Sequence, residues 1–260
     1  MRKAIATAAL ICAALAAQIY AVQAPNAVAT VAPTLRSGDV LATLNADGSR
    51  RYACTLGVVV TKKADNIHTH RRRWAITAGH CFNTETVGEN VYTLNPKGGW
   101  SYVGQTAARR IEDFSRPGAT GTEWNMGSAT AVLLEPSVIV QSSTNYGRIV
   151  AATTDYKYGQ STCHLGITTG WQCGAVRVAS SERGVARADV GEGDSGGPVF
   201  LVDRPGANPT EYRLTLIGIV VASAVGDDQA MRFNPWGNLA RDITTAIGDG
   251  WQYYVYAGDS

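Results

Sequence analysis

From Val40 to Ser223 the chain is written in short apolar or alternating runs, each closed by turn residues. This cadence limits the fold more than any other feature. "VLATL" (40–44) gives way to "NADGS"; "YACTLGVVV" (52–60), "RWAIT" (73–77), "WSYVG" (100–104) after "NPKGG", "AVLL" (131–134), "VRVAS" (176–179 and Ser180), "PVFLV" (198–202) before "DRPGANP", and "YRLTLIGIVVAS" (212–223) follow. These are strand lengths, and the Gly, Pro, Asn and Asp between them supply hairpin turns. One segment alone reads as a helix: in "PWGNLARDITTAIGDG", Leu239, Ile243 and Ile247 recur every fourth residue and Gly248 offers a left-handed stop, so a helix is predicted over about 236–248. The expected class is all-β with a C-terminal helix. Regular short strands of this kind build sandwiches or barrels; at this length two stacked barrels fit, with 135–145 as the crossover between them.

The first 29 residues open with Arg2 and Lys3, run apolar from Ala4 to Ala17 and end in small residues, as a secretory signal peptide does; Ala27-Val28-Ala29 is the preferred cleavage point. The apolar run falls short of the roughly 20 residues a spanning helix needs. Cleavage removes two basic residues and no acidic one, so the 23 Lys+Arg of the whole chain become 21, against 21 Asp+Glu. A neutral mature chain lacks the concentrated basic excess of a nucleic-acid binder, and Arg71-Arg72-Arg73 beside "DNIHTH" reads as a solvated loop. Four cysteines remain, Cys54, Cys81, Cys163 and Cys173; an even count in an exported chain predicts two disulfides, with three connectivities open. His68, His70, His80 and His164 form no zinc pattern with them, so neither a metal nor any other cofactor is expected.

Gly191 to Pro198 reads "GEGDSGGP". A serine oxygen attacks a carbonyl only when a base takes its proton and N–H groups receive the charge that develops on the carbonyl oxygen. Glycines at 193, 196 and 197 around Ser195 allow a tight turn that offers such N–H groups. "WAITAGHCF" supplies the candidate base, His80, at the end of an apolar strand. Gly193 to Gly197 also satisfies the G-x-S-x-G elbow of α/β-hydrolases, but those enzymes place the histidine after the serine. All four histidines here precede Ser195, and strand–helix alternation is absent; that absence also excludes a subtilisin-type fold.

"TAGHC" and "GDSGGP" together resemble the chymotrypsin-like serine protease family. "GQSTCHLGITTGWQCGAV" (159–176), in which two cysteines clasp a threonine- and glycine-rich turn, resembles its secreted bacterial branch. The resemblance runs from about Gly38 to the C-terminal helix. It implies two six-stranded antiparallel β-barrels, at about 38–135 and 146–235, with the active site in the cleft between them; residues 30–37 would be an N-terminal extension or a short propeptide ending near Arg36. It implies Cys54–Cys81 and Cys163–Cys173 bridges, His80 as general base to Ser195, and an oxyanion hole made by the N–H groups of Gly193 and Ser195. It further implies that Asp194 turns inward to a buried cation. The acid that should steady His80 falls on Asn125-Met126-Gly127, ahead of the "ATAVLL" strand, so Asn125 stands at the acid position; Asp113 in "RRIEDFSRPG", or Glu123, is the alternative. An asparagine accepts the histidine N–H without supplying charge, at a cost on the order of 10⁴ in turnover.

Asp189 lies six residues before Ser195, where the family places the floor of the pocket for the side chain preceding the cut bond. A buried carboxylate there would favour Arg or Lys, because its charge needs a partner once water is excluded. Ser223, in the wall segment "GIVVASAVG", would narrow the entrance. The expected protein is a secreted, monomeric serine endopeptidase whose partners are polypeptide substrates and protein inhibitors of proteases, with no membrane after signal cleavage. The alternative is a protease-like binding protein impaired at Asn125. A β-rich adhesion or sugar-binding module fits the composition but leaves both motifs unexplained.

Overall fold

The computed structural model describes residues 32–62, 72–82, 87–110, 129–141, 143–203, 212–224 and 227–253. The first half holds β1 (Thr34–Arg36), β2 (Val40–Leu44), β3 (Arg50–Thr55), β4 (Val58–Lys62), β5 (Arg73–Ala78), β6 (Asn90–Leu94), β7 (Trp100–Arg110) and β8 (Ala129–Leu134). Then come β9 (Ile139–Gln141), β10 (Ser143–Thr144), β11 (Gly147–Ala152), β12 (Ser161–Gly166), β13 (Gly170–Ala179), β14 (Gly184–Arg187), β15 (Pro198–Asp203), β16 (Tyr212–Ala224), β17 (Asp227–Pro235), α1 (Trp236–Ile247) and β18 (Trp251–Tyr253). The expected all-β class with a C-terminal helix is what the chain adopts.

Strands β16, β15, β12, β13, β14 and β17 pair in that order, and β17 returns to β16, closing a barrel. Closure removes the edges that would otherwise present unpaired backbone. The first sheet closes by another route. Its order is β4, β5, β8, β7, β6, β2, β3, and β3 runs on into β4 through Leu56-Gly57, so one bent strand serves both ends of the ladder. The run "YACTLGVVV", expected as a single strand, is therefore two strands around a corner. Gly57 makes the corner: its N–H donates to the Ile76 carbonyl at 2.9 Å, and a side chain there would stand 2.6 Å from the Gly196 carbonyl and from Ile219 Cγ2 of the second barrel. Only a residue without Cβ lets the barrels approach so closely.

Inside the first barrel Leu41, Leu56, Phe82, Val91, Val103 and Val132 are fully buried; inside the second, Val176, Val199, Ile217, Met231 and Phe233 are. A third apolar cluster unites Val60 and Ile76 of the first barrel, Phe200, Leu214 and Leu216 of the second, and Leu239 and Ile243 of α1. The helix thus seals the two barrels together. It ends as its sequence predicts, with Gly248 at φ 77° donating its N–H to the Thr244 carbonyl, and β18 then pairs antiparallel with β4.

One expectation about the basic run changes. Arg73 is not part of a solvated loop: at the start of β5 its guanidinium donates to the carbonyls of Val138, Glu135 and Pro136, fastening the segment after β8. Residues 34–36 form β1, parallel to β9 within the crossover. Leu35 is fully buried in the first core, and the Arg36 guanidinium bonds Gln141 and Asn145.

Candidate active site

Ser195 and His80 come from different barrels and meet: His80 Nε2 lies 2.9 Å from Ser195 Oγ. Their relation is fixed by a short path. His80 follows β5 and precedes Cys81, which is bonded to Cys54; the next residue, Thr55, donates its N–H to the Ser195 carbonyl at 2.9 Å. The Thr77 hydroxyl reinforces this path by donating to the Thr55 carbonyl at 2.8 Å. One disulfide and two hydrogen bonds thereby tie base to nucleophile across the cleft. Both predicted bridges form, Cys54–Cys81 and, within the β12–β13 hairpin, Cys163–Cys173.

The loop from Gly191 to Gly197 is held at nearly every peptide. Asp194 N–H donates to the Gly191 carbonyl, Gly196 N–H to Val220 and Gly197 N–H to Asp194. Gly193 and Gly196 sit at φ 97° and 87°, a region in which only glycine is unstrained. Among the described residues the N–H groups of Gly193 and Ser195 donate to nothing, which leaves both available to a ligand oxygen.

Asp194 does turn inward and is fully buried, and among the described residues no cation is paired with it. Among the described residues its carboxylate accepts from Thr168 N–H (2.8 Å), Thr169 N–H (3.2 Å), the Thr169 hydroxyl (2.6 Å) and Gly191 N–H (2.8 Å). Four neutral donors fill a carboxylate's capacity, so the charge is stabilised without an ion pair. The threonines belong to the turn between the clasping cysteines, which thereby becomes the support of the nucleophile loop.

Sequence reasoning passed over His164. It is fully buried in β12, and its Nε2 lies 2.6 Å from the Asp189 carbonyl. A carbonyl only accepts, so Nε2 carries the proton, and Nδ1 is buried without a hydrogen-bond partner among the described residues. Burial pushes the imidazole below its ordinary range, opposed by the Asp189 hydrogen bond and by the charges of Asp194 and Asp189. Asp189 itself is exposed, unlike the buried carboxylate expected at the pocket floor. Ser223 lies in β16 opposite Met231. Asn125, Asp113 and Glu123 fall outside the described residues. Among the described residues no cluster of His, Cys, Asp and Glu could hold a metal.

No family profile matches the chain. A curated Mycobacterium tuberculosis protein, Rv1815, described only as uncharacterized, is 27% identical over 205 residues, covering 72% of this chain and 82% of its own. Among solved structures, Thermobifida fusca protease A aligns with TM-score 0.54 at 19% identity, covering 85% of this chain and 99% of its own. Nocardiopsis protease aligns with TM-score 0.53 at 14% identity, covering 85% and 100%. With the closed second barrel, the cornered first barrel and the loop geometry above, these likenesses show that the chain has the fold of the bacterial chymotrypsin-like serine proteases.

Proposed function

We propose that the protein is a secreted serine endopeptidase that cuts polypeptides through an acyl-enzyme on Ser195. The observation that carries this reading is the 2.9 Å approach of His80 Nε2 to Ser195 Oγ beside the Gly193 and Ser195 N–H groups, which donate to nothing among the described residues. Ser195 Oγ would bond to the substrate carbonyl carbon while its proton passes to His80 Nε2. The oxyanion would be received by the two N–H groups, and His80 would give the proton to the departing amine; water then repeats the sequence to release the acid. The disulfides and the signal-like first 29 residues support export. Labelling of the mature protein with a fluorophosphonate, compared with Ser195→Ala, tests the reading: labelling that depends on Ser195 supports it, and labelling no better than the alanine variant sinks it.

Specificity follows from Asp189. An exposed carboxylate contributes at most about 1 kcal/mol to an ion pair, so the proposed preference for Arg or Lys before the cut bond is several-fold rather than absolute. Matched peptides with Lys and Gln at that position measure it.

Asn125 favours a second reading, a protease-like binding protein. Under it wild type hydrolyses peptides negligibly and Asn125→Asp restores turnover by up to on the order of 10⁴. Efficient wild-type hydrolysis that Asn125→Asp leaves unchanged dismisses that reading and assigns the acid's task to another carboxylate.

A further inference from the structure

The turn "GITTG" between the clasping cysteines supplies more than donors to Asp194. The Thr168 hydroxyl donates to the Glu192 carbonyl at 2.5 Å, and that carbonyl belongs to the peptide whose other end is the Gly193 N–H. Among the described residues every peptide is trans, so the carbonyl and the N–H point in opposite directions. Holding the oxygen against the turn aims the N–H away from it. On the following peptide the Gly193 carbonyl accepts from the Thr55 hydroxyl at 2.8 Å, and that hydroxyl in turn accepts the Ile167 N–H at 3.1 Å. Two threonine hydroxyls, one from each barrel, therefore grip consecutive carbonyls of the oxyanion loop.

The grip is needed because the alternative is accessible. Rotating the Glu192–Gly193 peptide by about 180° would move Gly193 from positive to negative φ, a region as open to glycine as the first. It would replace the N–H donor with a carbonyl acceptor, which repels a developing oxyanion. We propose that Thr168 is a positioning residue of the oxyanion hole, its hydroxyl holding the Glu192–Gly193 peptide in the donor orientation. The role in turnover rests on the protease reading; the orientation of the peptide does not.

Thr168→Val keeps the shape and removes the hydroxyl, and Thr168→Ser keeps the hydroxyl. Crystal structures of both variants, with melting curves to show that they fold, should find the peptide inverted in the valine variant and unchanged in the serine variant. Kinetically, the valine variant should lose on the order of 10² in kcat, as for loss of one oxyanion-hole donor. Its KM should change by less than about threefold, and serine should restore kcat. A peptide that keeps its orientation in Thr168→Val overturns the proposal whatever the rate, and an inverted peptide with unchanged kcat overturns the link to the oxyanion hole. If wild type itself fails to label at Ser195, the protease reading falls while the crystallographic comparison still decides what Thr168 holds.

Discussion

Gly196→Ala probes the point at which the barrels and the nucleophile loop meet. Gly196 has φ 87°, and a methyl there would overlap the Thr77 hydroxyl and the Thr55 carbonyl and stand 3.0 Å from the Ala78 nitrogen. Gly48→Ala is the control: Gly48 has φ 80° and nothing within 4 Å of the would-be methyl. The control incurs only left-handed backbone strain, about 1 kcal/mol. At Gly196 the same strain is joined by overpacking, typically about 1–3 kcal/mol, and backbone offers little room to yield. Urea unfolding should therefore place Gly196→Ala about 2–4 kcal/mol below wild type, the sum of those strain and overpacking costs. Relief of the overlap must move either Thr55, which holds the Ser195 carbonyl, or the nucleophile loop itself. A displacement of about 1 Å costs on the order of 10² in rate, so fluorophosphonate labelling should fall at least tenfold relative to Gly48→Ala. Equal stabilities and equal labelling rates for the two variants would refute the account of the barrel junction.

Removing the first bridge with Cys54→Ser and Cys81→Ser releases a loop of sequence separation 27, which should cost about 3–4 kcal/mol in urea unfolding and slow labelling at Ser195, since His80 loses its tie to Thr55. Leu35→Ala should cost about 2–5 kcal/mol, the range for truncating a buried leucine, and a value near zero would deny β1 its place in the core. Burial lowers the His164 pKa from its ordinary value of 6.5, so below that value the unfolded chain binds the proton more readily than the folded one. Stability should then fall as pH drops below 6.5, levelling once the folded group titrates too; in His164→Gln that part of the slope should vanish, and parallel curves for the two proteins would contradict it.

The residues that spoke clearly in the sequence are those whose chemistry is local. "VLATL" and "PVFLV" form strands close to the expected limits, and α1 ends within a residue of its prediction, because alternation and Gly248 act on their own segments. Strand β17 was silent: "DDQAMRFNP" has no clean alternation, and pairing with both β14 and β16 makes it a strand. The corner at Gly57 was likewise hidden, since the reason for that glycine is the Gly196 carbonyl of the other barrel. At the site, His80, Ser195 and their glycines stand in recognisable motifs. Thr55, Thr77, Thr168 and Thr169 read as ordinary strand and turn threonines, and their hydroxyls acquire a task only when distant segments arrive. His164 shows no spacing signal because its partner is a backbone carbonyl.

How Asp194 is satisfied bears on when the site can form. Its four donors all come from 168–191, a hairpin turn and the approach to the loop, both within the second barrel. Among the described residues the inward turn thus draws on no charge from another part of the chain. At the N-terminal side, Leu35 belongs to the first core and the Arg36 side chain is bonded to the crossover. The Asp194 end of the nucleophile loop is thus organised within its own barrel, whereas the Gly193 and Ser195 carbonyls and the alignment with His80 depend on Thr55 and Cys54 bringing the first barrel against it. Assembly of the site is coupled to docking of the barrels, and the substitutions that should impair it most are those at Gly57, Gly196 and Thr55, where backbone of one barrel touches backbone of the other.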